Sequence, residues 1–512
     1  MRTPTFTATP SPTQTRTLAQ TATQTLTSTS TVSRPQTATP TVTQVDTPSP
    51  TPSLTASATA TASATATTAP TLERLAIQAD AEWIRDAQGR VVILRGANYS
   101  GLEFGNFIGN PNGPEESDFA QMESWGFNVV RLPFAWSYLE PMPNQFEDAH
   151  LHEQVDPVVE FAARHDLLVV LEMHQFYWAR CFTNGNGAPA WVCDGHDYSD
   201  DFRGAVDAGC DFISGVTAPD GRPLQDHFVD VWRLVAHHFT GDNRVGGINF
   251  LNEPHTFGCV TDSGILTHNL YELYRRLRDA VQEQGALQTF FVEPPVVRNL
   301  GLGVPTEALG PDVVYAPHLY TQTFGLPELK YNGDASTITA DYMLATSEAQ
   351  GYGGPLWPGE FGGNTNADGG FLDATELFFR DTLAEQDRRL IGGAIWAYFP
   401  SDNTFSVVDR EGNEKGDLVS ILARPYARRI AGVPTEMRFD LETKEFVFSW
   451  RVDGSAPGGG VTEVFVPQRH YPNGITADLP AGVTLHPGPN NQIVLLVAPA
   501  AGEYTVRLRP RS

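Results

Sequence analysis

Eight nearly continuous apolar runs punctuate the chain between residues 91 and 399. They are VVILRGANY (91–99), FNVVRLPF (127–134), LLVVLEMHQ (167–175), VGGINFLNEP (245–254), TFFVEPP (289–295), VVYAPHLY (313–320), PLWPGEF (355–361) and GGAIWAYF (392–399). Strands apolar on both faces belong to a parallel sheet covered by helices. The stretches between them carry helical spacing. In ILTHNLYELYRRLRDAVQEQG (265–285), Leu266, Leu270, Leu273, Leu277 and Val281 recur every three or four residues, and Gly285 ends the run. In VDPVVEFAARHD, Asp156 followed by Pro157 suits a cap and a first turn, with an earlier start left open. Eight strands, most followed by a helix, predict an α/β fold of the (β/α)8 TIM-barrel type. A doubly wound sheet is the alternative, but no Gly-rich phosphate fingerprint follows the first run.

The texture differs on either side of the barrel. Residues 1–70 are almost all Thr, Ser, Ala and Pro, as in SATATASATATTAP. Such a segment buries too little surface to offset its ordering entropy, so it is expected to be disordered, in the manner of an extracellular linker. A linker beginning at Met1 would connect nothing, so Met1 is not taken as the true start. The barrel is expected over 75–432. From 433 to 512, MRFDLETKEFVFSWRV, TEVFVPQRHY, QIVLLVAP and EYTVRLRP read as short strands split by DGSAPGGG and HPGPNNQ. A small C-terminal β-sandwich is the expectation there.

Charge and cysteines narrow the setting. A net charge of −26 argues against a nucleic-acid partner. No apolar stretch approaches the ~18 residues of a spanning helix. The start MRTPTFTATPSP lacks the apolar centre of a signal peptide. Cys181, Cys193 and Cys210 fall in one Gly-rich loop and Cys259 lies just past Glu253, with no CxxC pair. Two disulfides pinning long loops, and an extracellular location, are expected, with three pairings open.

Barrel enzymes carry their chemistry at the C-terminal ends of the strands. Those ends read Asn98, Arg131, Glu172 with His174, Asn252 with Glu253, Glu293, His318 with Tyr320, Glu360, and Trp396. Carboxylates and aromatics dominate. There is no HExxH, P-loop or GxSxG, so no metal, cofactor or serine nucleophile is expected. Glu253 and Glu360 end the fourth and seventh runs, which places them across the mouth from each other. Paired carboxylates are the machinery of glycoside hydrolysis: one donates a proton to the leaving oxygen, and the other attacks. Separations of ~5–5.5 Å give retention of configuration and ~6.5–9.5 Å give inversion.

These motifs, in this order, resemble glycoside hydrolase family 5, the cellulase-like clan of retaining barrel enzymes. Asn252-Glu253-Pro254 is similar to the family's acid/base motif, and WPGEFG (357–362) to its nucleophile motif. RLP (131–133), MHQ (173–175), HLY (318–320) and IWAYF (395–399) fall where the family places Arg, His, His-x-Tyr and a stacking Trp. NGNGAPAW (184–191), LARPYARRIAGVP (422–434) and TEVFVPQRHYPNG (462–474) resemble the endoglycoceramidases, which cleave the glucose–ceramide bond of glycosphingolipids. Two positions depart from that subgroup. Glu172 stands where its members carry Asp, and NYSGLEFGNF lacks their Lys. Both positions contact sugar hydroxyls in those relatives.

The resemblance and the strand-end positions together assign expected roles. Glu253 is the acid/base and Glu360 the nucleophile. Asn252 reaches the substrate 2-hydroxyl, Tyr320 orients Glu360, and Arg131 keeps it ionised. His174, His318 and Glu172 line the sugar site, and Trp396 offers an apolar face to the ring. Glu293 is given no chemistry. Trp178, Trp191 and the 176–225 insertion either wall the mouth or pack as an ordinary loop. The expected partner is a carbohydrate or glycolipid, with transient contact at a membrane or micelle surface at most, apolar and local because the chain is acidic. Two alternatives stay open: a β-1,4-glucanase or mannanase with an open cleft lined by several Trp, and a carbohydrate-binding barrel without catalysis.

Overall fold

A computed structural model describes residues 76–321, 330–365, 374–400, 404–498 and 500–511. The low-complexity segment 1–70 lies outside the described residues. Three short strands come first: β1 (Ile77–Ala79), β2 (Ile84–Asp86) and β3 (Val91–Val92). The staves of the barrel follow as β4 (Arg95–Tyr99), β5 (Val129–Phe134), β6 (Leu168–Met173), β7 (Val245–Asn249), β8 (Thr289–Val292), β9 (Val313–Tyr315) and β10 (Gly393–Tyr398). They form one parallel sheet in the order β10-β4-β5-β6-β7-β8-β9.

The seventh apolar run, 355–361, is not a continuous strand. It bridges Tyr315 through Leu356, His318 through Glu360, and Ile395 through Phe361. Pro355 and Pro358 lack the N–H that an unbroken ladder needs. The segment is still held on both sides: Trp357 N donates to Tyr315 O at 2.9 Å, and Ala394 N donates to Pro358 O at 3.0 Å. It thus stands as the eighth stave and closes the ring.

The outer layer is α1 (Glu116–Ser124), α2 (Asp156–Arg164), α3 (Phe202–Ser214), α4 (Leu224–His238), α5 (Ser263–Glu283), α6 (Ala335–Tyr352), α7 (Thr375–Arg389) and α8 (Gly416–Leu422). The predicted stripe of α5 is buried, Asp262 Oδ1 caps its first turn, and Gly285 beyond it is left-handed (φ 80°). α2 begins at Asp156, after a π turn over Leu151–Val155. At the N-terminal end of the barrel the β1–β2 hairpin acts as a plug. Its Ile77 and Ile84 pack with Val129, Val170, Phe291 and Trp357. Ala79 N donates to Asp312 Oδ1 at 2.7 Å, which fastens the hairpin to the start of β9.

The C-terminal region consists of β11 (Tyr426–Ile430), β12 (Val433–Phe439), β13 (Phe446–Val452), β14 (Val461–Phe465), β15 (Ile475–Asp478), β16 (Thr484–Pro487), β17 (Ile493–Val497) and β18 (Gly502–Pro510). One sheet is antiparallel in the order β12-β13-β18-β15. The other runs β1-β2-β3-β11-β14-β17-β16, so it joins strands from before and after the barrel and crosses the expected boundary at 433. Phe446, Phe448, Trp450, Val464, Leu496 and Val506 fill the core of this region. Tyr426 Oη donates to Gly126 O at 2.7 Å, and the Arg95 guanidinium lies 4.5 Å over the Tyr426 ring. Two disulfides form, Cys181–Cys193 and Cys210–Cys259, which selects one of the three pairings.

Candidate active site

The apolar run that includes β7 leaves the sheet at Asn249 and carries Asn252 and Glu253 out over the mouth. Glu253 sits in the left-handed region (φ 44°), a conformation that costs a non-glycine residue on the order of 1 kcal/mol. Three hydrogen bonds fix it there. Glu253 N donates to Glu293 Oε2 at 2.7 Å, and Gln175 Nε2 donates to the carbonyls of Asn252 at 2.9 Å and Glu253 at 3.0 Å.

Arg131 on β5 is the hub below the mouth. It is fully buried, and each of its five N–H donors has an acceptor. Nη1 donates to Asn98 Oδ1 at 2.7 Å and Glu360 Oε1 at 2.8 Å, and Nη2 to Glu293 Oε1 at 2.7 Å and Asn252 Oδ1 at 3.0 Å. Nε donates to Asn249 Oδ1 at 2.9 Å. Burial works against the guanidinium charge, but Glu172, Glu293 and Glu360 together hold it firmly protonated.

The two predicted carboxylates meet around His318. Its Nδ1 lies 2.8 Å from Glu253 Oε1 and 3.4 Å from Glu360 Oε2. Donor atoms of Glu253, His318 and Glu360 all fall within 4.8 Å of one another. Tyr320 Oη donates to Glu360 Oε2 at 2.7 Å, and Asn299 Nδ2 donates to Glu253 Oε1 at 2.5 Å. Spacing alone would let the three residues hold a cation, but Glu360 already accepts from Arg131 and Tyr320. The Glu253 side chain is 24% exposed and Glu360 only 5%, so Glu253 is the one that faces the mouth.

Electrostatics follow from these contacts. Burial pushes Glu253 up, but the His318 hydrogen bond and charge outweigh it and hold its carboxyl below the ordinary value. Burial raises Glu360, and His318 and Arg131 only partly offset that. Burial would lower His318, yet Glu293, Glu360 and Glu253 bring it up to about 10. His174 reaches about 9 because Glu172, Glu103 and Glu360 outweigh its burial. Glu293 falls to about 2, since the charges of His318 and Arg131 overcome the effect of burial.

Glu172 is placed below the mouth: its side chain is 0% exposed, with Oε2 2.9 Å from His174 Nδ1 and 3.6 Å from Arg131 Nη1. Residues two apart on a strand share a face, so Glu172 lies one layer below His174. His174 sits above it, stacked on Trp396 with ring centroids 5.4 Å apart. Asn252 is buried and spends its amide on Gln175 O (3.1 Å) as well as on Arg131, which leaves one N–H uncommitted. Glu293, which the sequence gives no chemistry, ties Arg131 to the Glu253 backbone and lies 3.3 Å from His318 Nε2. Asn249, Gln175 and Asn299 were missed. The signal for Asn249 was a polar residue inside an otherwise apolar run; Asn299 gave none.

The insertion after β6 extends the hydrophobic core of the barrel. Trp178 and Trp191 are buried against Trp136 and belong to that core, not to the mouth. Its outer surface, otherwise largely polar, carries one group of aromatic rings: Phe176 stacks on Tyr177 at 4.5 Å, and Tyr177 meets Phe202 at 5.7 Å. The Cys210–Cys259 disulfide ties the loop after Glu253 to α3, and Phe257 and Val260 on that loop are exposed.

Comparison with known proteins shows the family. The profile of Cellulase (glycosyl hydrolase family 5) matches residues 85–398, and that of the glycoside hydrolase family 5 C-terminal domain matches 424–508. Endoglycoceramidase I of Rhodococcus hoagii (strain 103S) is 27% identical over 477 residues, covering 86% of this chain and 90% of that protein. The structure of endo-glycoceramidase II from Rhodococcus sp. superposes with a TM-score of 0.71 at 26% identity, covering 84% of this chain and 100% of that one. An endogalactoceramidase structure gives 0.68 at 25% identity, covering 84% and 99%. The chain belongs to glycoside hydrolase family 5.

Proposed function

We propose that this protein is a retaining β-glycosidase that hydrolyses the bond between a sugar headgroup and ceramide in glycosphingolipids. The observation that carries the chemistry is the close approach of Glu253 and Glu360, whose nearest oxygens lie within 4.8 Å. That is compatible with the ~5–5.5 Å spacing of retaining enzymes and shorter than the ~6.5–9.5 Å of inverting ones.

In this reading Glu360 attacks the anomeric carbon while Glu253 protonates the leaving oxygen. Glu253 then takes a proton from the water that releases the sugar. Arg131 and Tyr320 each donate to one oxygen of Glu360 and favour its ionised form against the effect of burial. The proton that Glu253 needs resides on the His318 Nδ1–Glu253 Oε1 hydrogen bond. Its passage leaves both groups neutral and the net charge of the site unchanged. It also removes the imidazolium charge that holds Glu253 low.

Two observations support a glycolipid over a polysaccharide. Seven of the nine tryptophans are buried, and of the other two Trp83 lies in the plug hairpin at the far end, leaving Trp396 at the mouth. A cleft for a long glucan or mannan would be lined by several. The loops after β6 and β7 instead present Phe176, Tyr177, Phe202, Phe257 and Val260, a surface suited to an acyl chain. The endoglycoceramidase relatives point the same way.

The test is a substrate panel: lactosylceramide and glucosylceramide in detergent micelles, a steryl glucoside, and cello-oligosaccharides, with products identified by mass. Free sugar and ceramide are the expected products. Turnover of cello-oligosaccharides with none of any glycosphingolipid would refute the substrate assignment while leaving the family chemistry intact.

A further inference from the structure

His152, Asp156 and His238 meet in the outer helical layer, between α2 and α4, and none of them belongs to the site described above. We propose that they form a binding site for a zinc-class divalent cation, one that ties the π turn before α2 to the end of α4.

The donor atoms are already gathered. His152 Nδ1 lies 3.3 Å from Asp156 Oδ2, and His238 Nε2 lies 2.8 Å from Asp156 Oδ1. All three residues offer donor atoms within 4.8 Å of one another. Zinc bonds of ~2.0–2.2 Å in a tetrahedron put neighbouring ligand atoms ~3.3–3.5 Å apart, so only small rotations are needed. Two imidazoles and one carboxylate favour Zn²⁺, Cu²⁺ or Ni²⁺ over Mg²⁺ and Ca²⁺. Exposure falls from 61% at His152 through 31% at Asp156 to 11% at His238. The outer ligand thus gives an ion a way in, and the inner one is held by the fold.

The backbone is arranged around the same three residues. Asp156 N bonds to Leu151 O, five residues back, which makes the segment carrying His152 a π turn. Pro157 accounts for part of this, because it cannot donate to a carbonyl four residues back and its ring crowds that group. His152 and Asp156, four residues apart, share one face of this segment. π turns of this kind recur at functional sites.

The surrounding field suits a cation. Among the described residues no lysine or arginine pairs with Asp156, so its charge is met only by the two histidines. His238 is in the last turn of α4, where the helix presents the negative end of its dipole.

The test uses the full chain, stripped with a chelator and titrated calorimetrically with ZnCl₂. A parallel Cu²⁺-loaded sample is read by electron paramagnetic resonance. One site per chain is expected, weakened by about 100-fold or more in Asp156→Asn and in His238→Ala. The Cu²⁺ spectrum should show coupling to two imidazole nitrogens in the wild type and to one in His152→Ala. His152 is exposed, so that variant folds and keeps the test informative even if His238→Ala does not. His268→Ala, in a separate surface cluster, should leave the titration unchanged. Wild-type chain that takes up no Zn²⁺, or a His152→Ala/His238→Ala double variant that binds it as tightly as wild type, would overturn the proposal.

Discussion

The Tyr320 hydroxyl donates to Glu360 Oε2 at 2.7 Å and leaves the other oxygen of that carboxylate to Arg131. A hydrogen bond to a charged group contributes about 1.5–3 kcal/mol. Tyr320→Phe should therefore lower kcat roughly 10- to 100-fold with little change in melting temperature. Steady-state kinetics beside a thermal melt will check this. A large drop in stability with kcat unchanged would make Tyr320 a packing residue instead.

Glu360→Gln removes the attacking oxygen anion, and kcat should fall by about 10⁴-fold or more. Glu253→Gln should behave differently with the leaving group. On a glycolipid it should cost about 10²–10⁴-fold. On an aryl glycoside whose phenolate leaves unaided, the first step should be nearly unaffected, and a burst of phenol should appear. Equal losses on both substrates would count against Glu253 as the acid.

His174 and His318 make stability depend on alkaline pH. Both stand above the ordinary histidine value of 6.5 in the folded chain, at about 9 and about 10. A group raised on folding contributes fully below its unfolded value, and that contribution is lost as pH rises through the folded one. Melting temperature should decline progressively between about pH 6.5 and pH 10. His174→Asn should flatten that slope, which a pH series of melts will show.

Among the described residues, Arg131 is the sole guanidinium given to three buried carboxylates, Glu172, Glu293 and Glu360. Arg131→Met should cost about 3–5 kcal/mol, because it strands charges and does not merely delete a contact. Denaturant unfolding measures this. A second variant, Glu293→Gln, keeps the shape and should loosen the Glu253 backbone, seen as a larger loss in kcat than in stability.

The Cys210–Cys259 disulfide closes 49 residues and Cys181–Cys193 closes 12. Loop-closure entropy then predicts contributions of about 4 and about 3 kcal/mol. The paired Cys→Ala variants should lose stability in that order, as read by denaturant midpoints.

Much of the architecture is written in the chain itself. Eight apolar runs at helical intervals demand a parallel, helix-covered sheet, since no other arrangement buries both faces of so many strands. Asn-Glu-Pro and WPGEFG put Glu253 and Glu360 at strand ends, and the ring closure brings those ends to one mouth. Local patterning also located α5 and its stop at Gly285, because caps and stripes act within a few residues.

What the tertiary structure decided is what depends on contacts between distant parts of the chain. No spacing reveals that β1–β3 leave the start of the barrel to join a sheet with β11 and β14, hundreds of residues later. Nor does it reveal that Asn299 donates to Glu253, or that Glu293 carries the Glu253 backbone. Glu172 and His174 look alike as strand-end polar residues, yet one lies under the other, because depth along a barrel stave is set by neighbouring strands and not by the stave's own sequence. Pairing chemistry can be read from residue types. Which groups are buried together, and so which charges must answer each other, is fixed only when the ring closes.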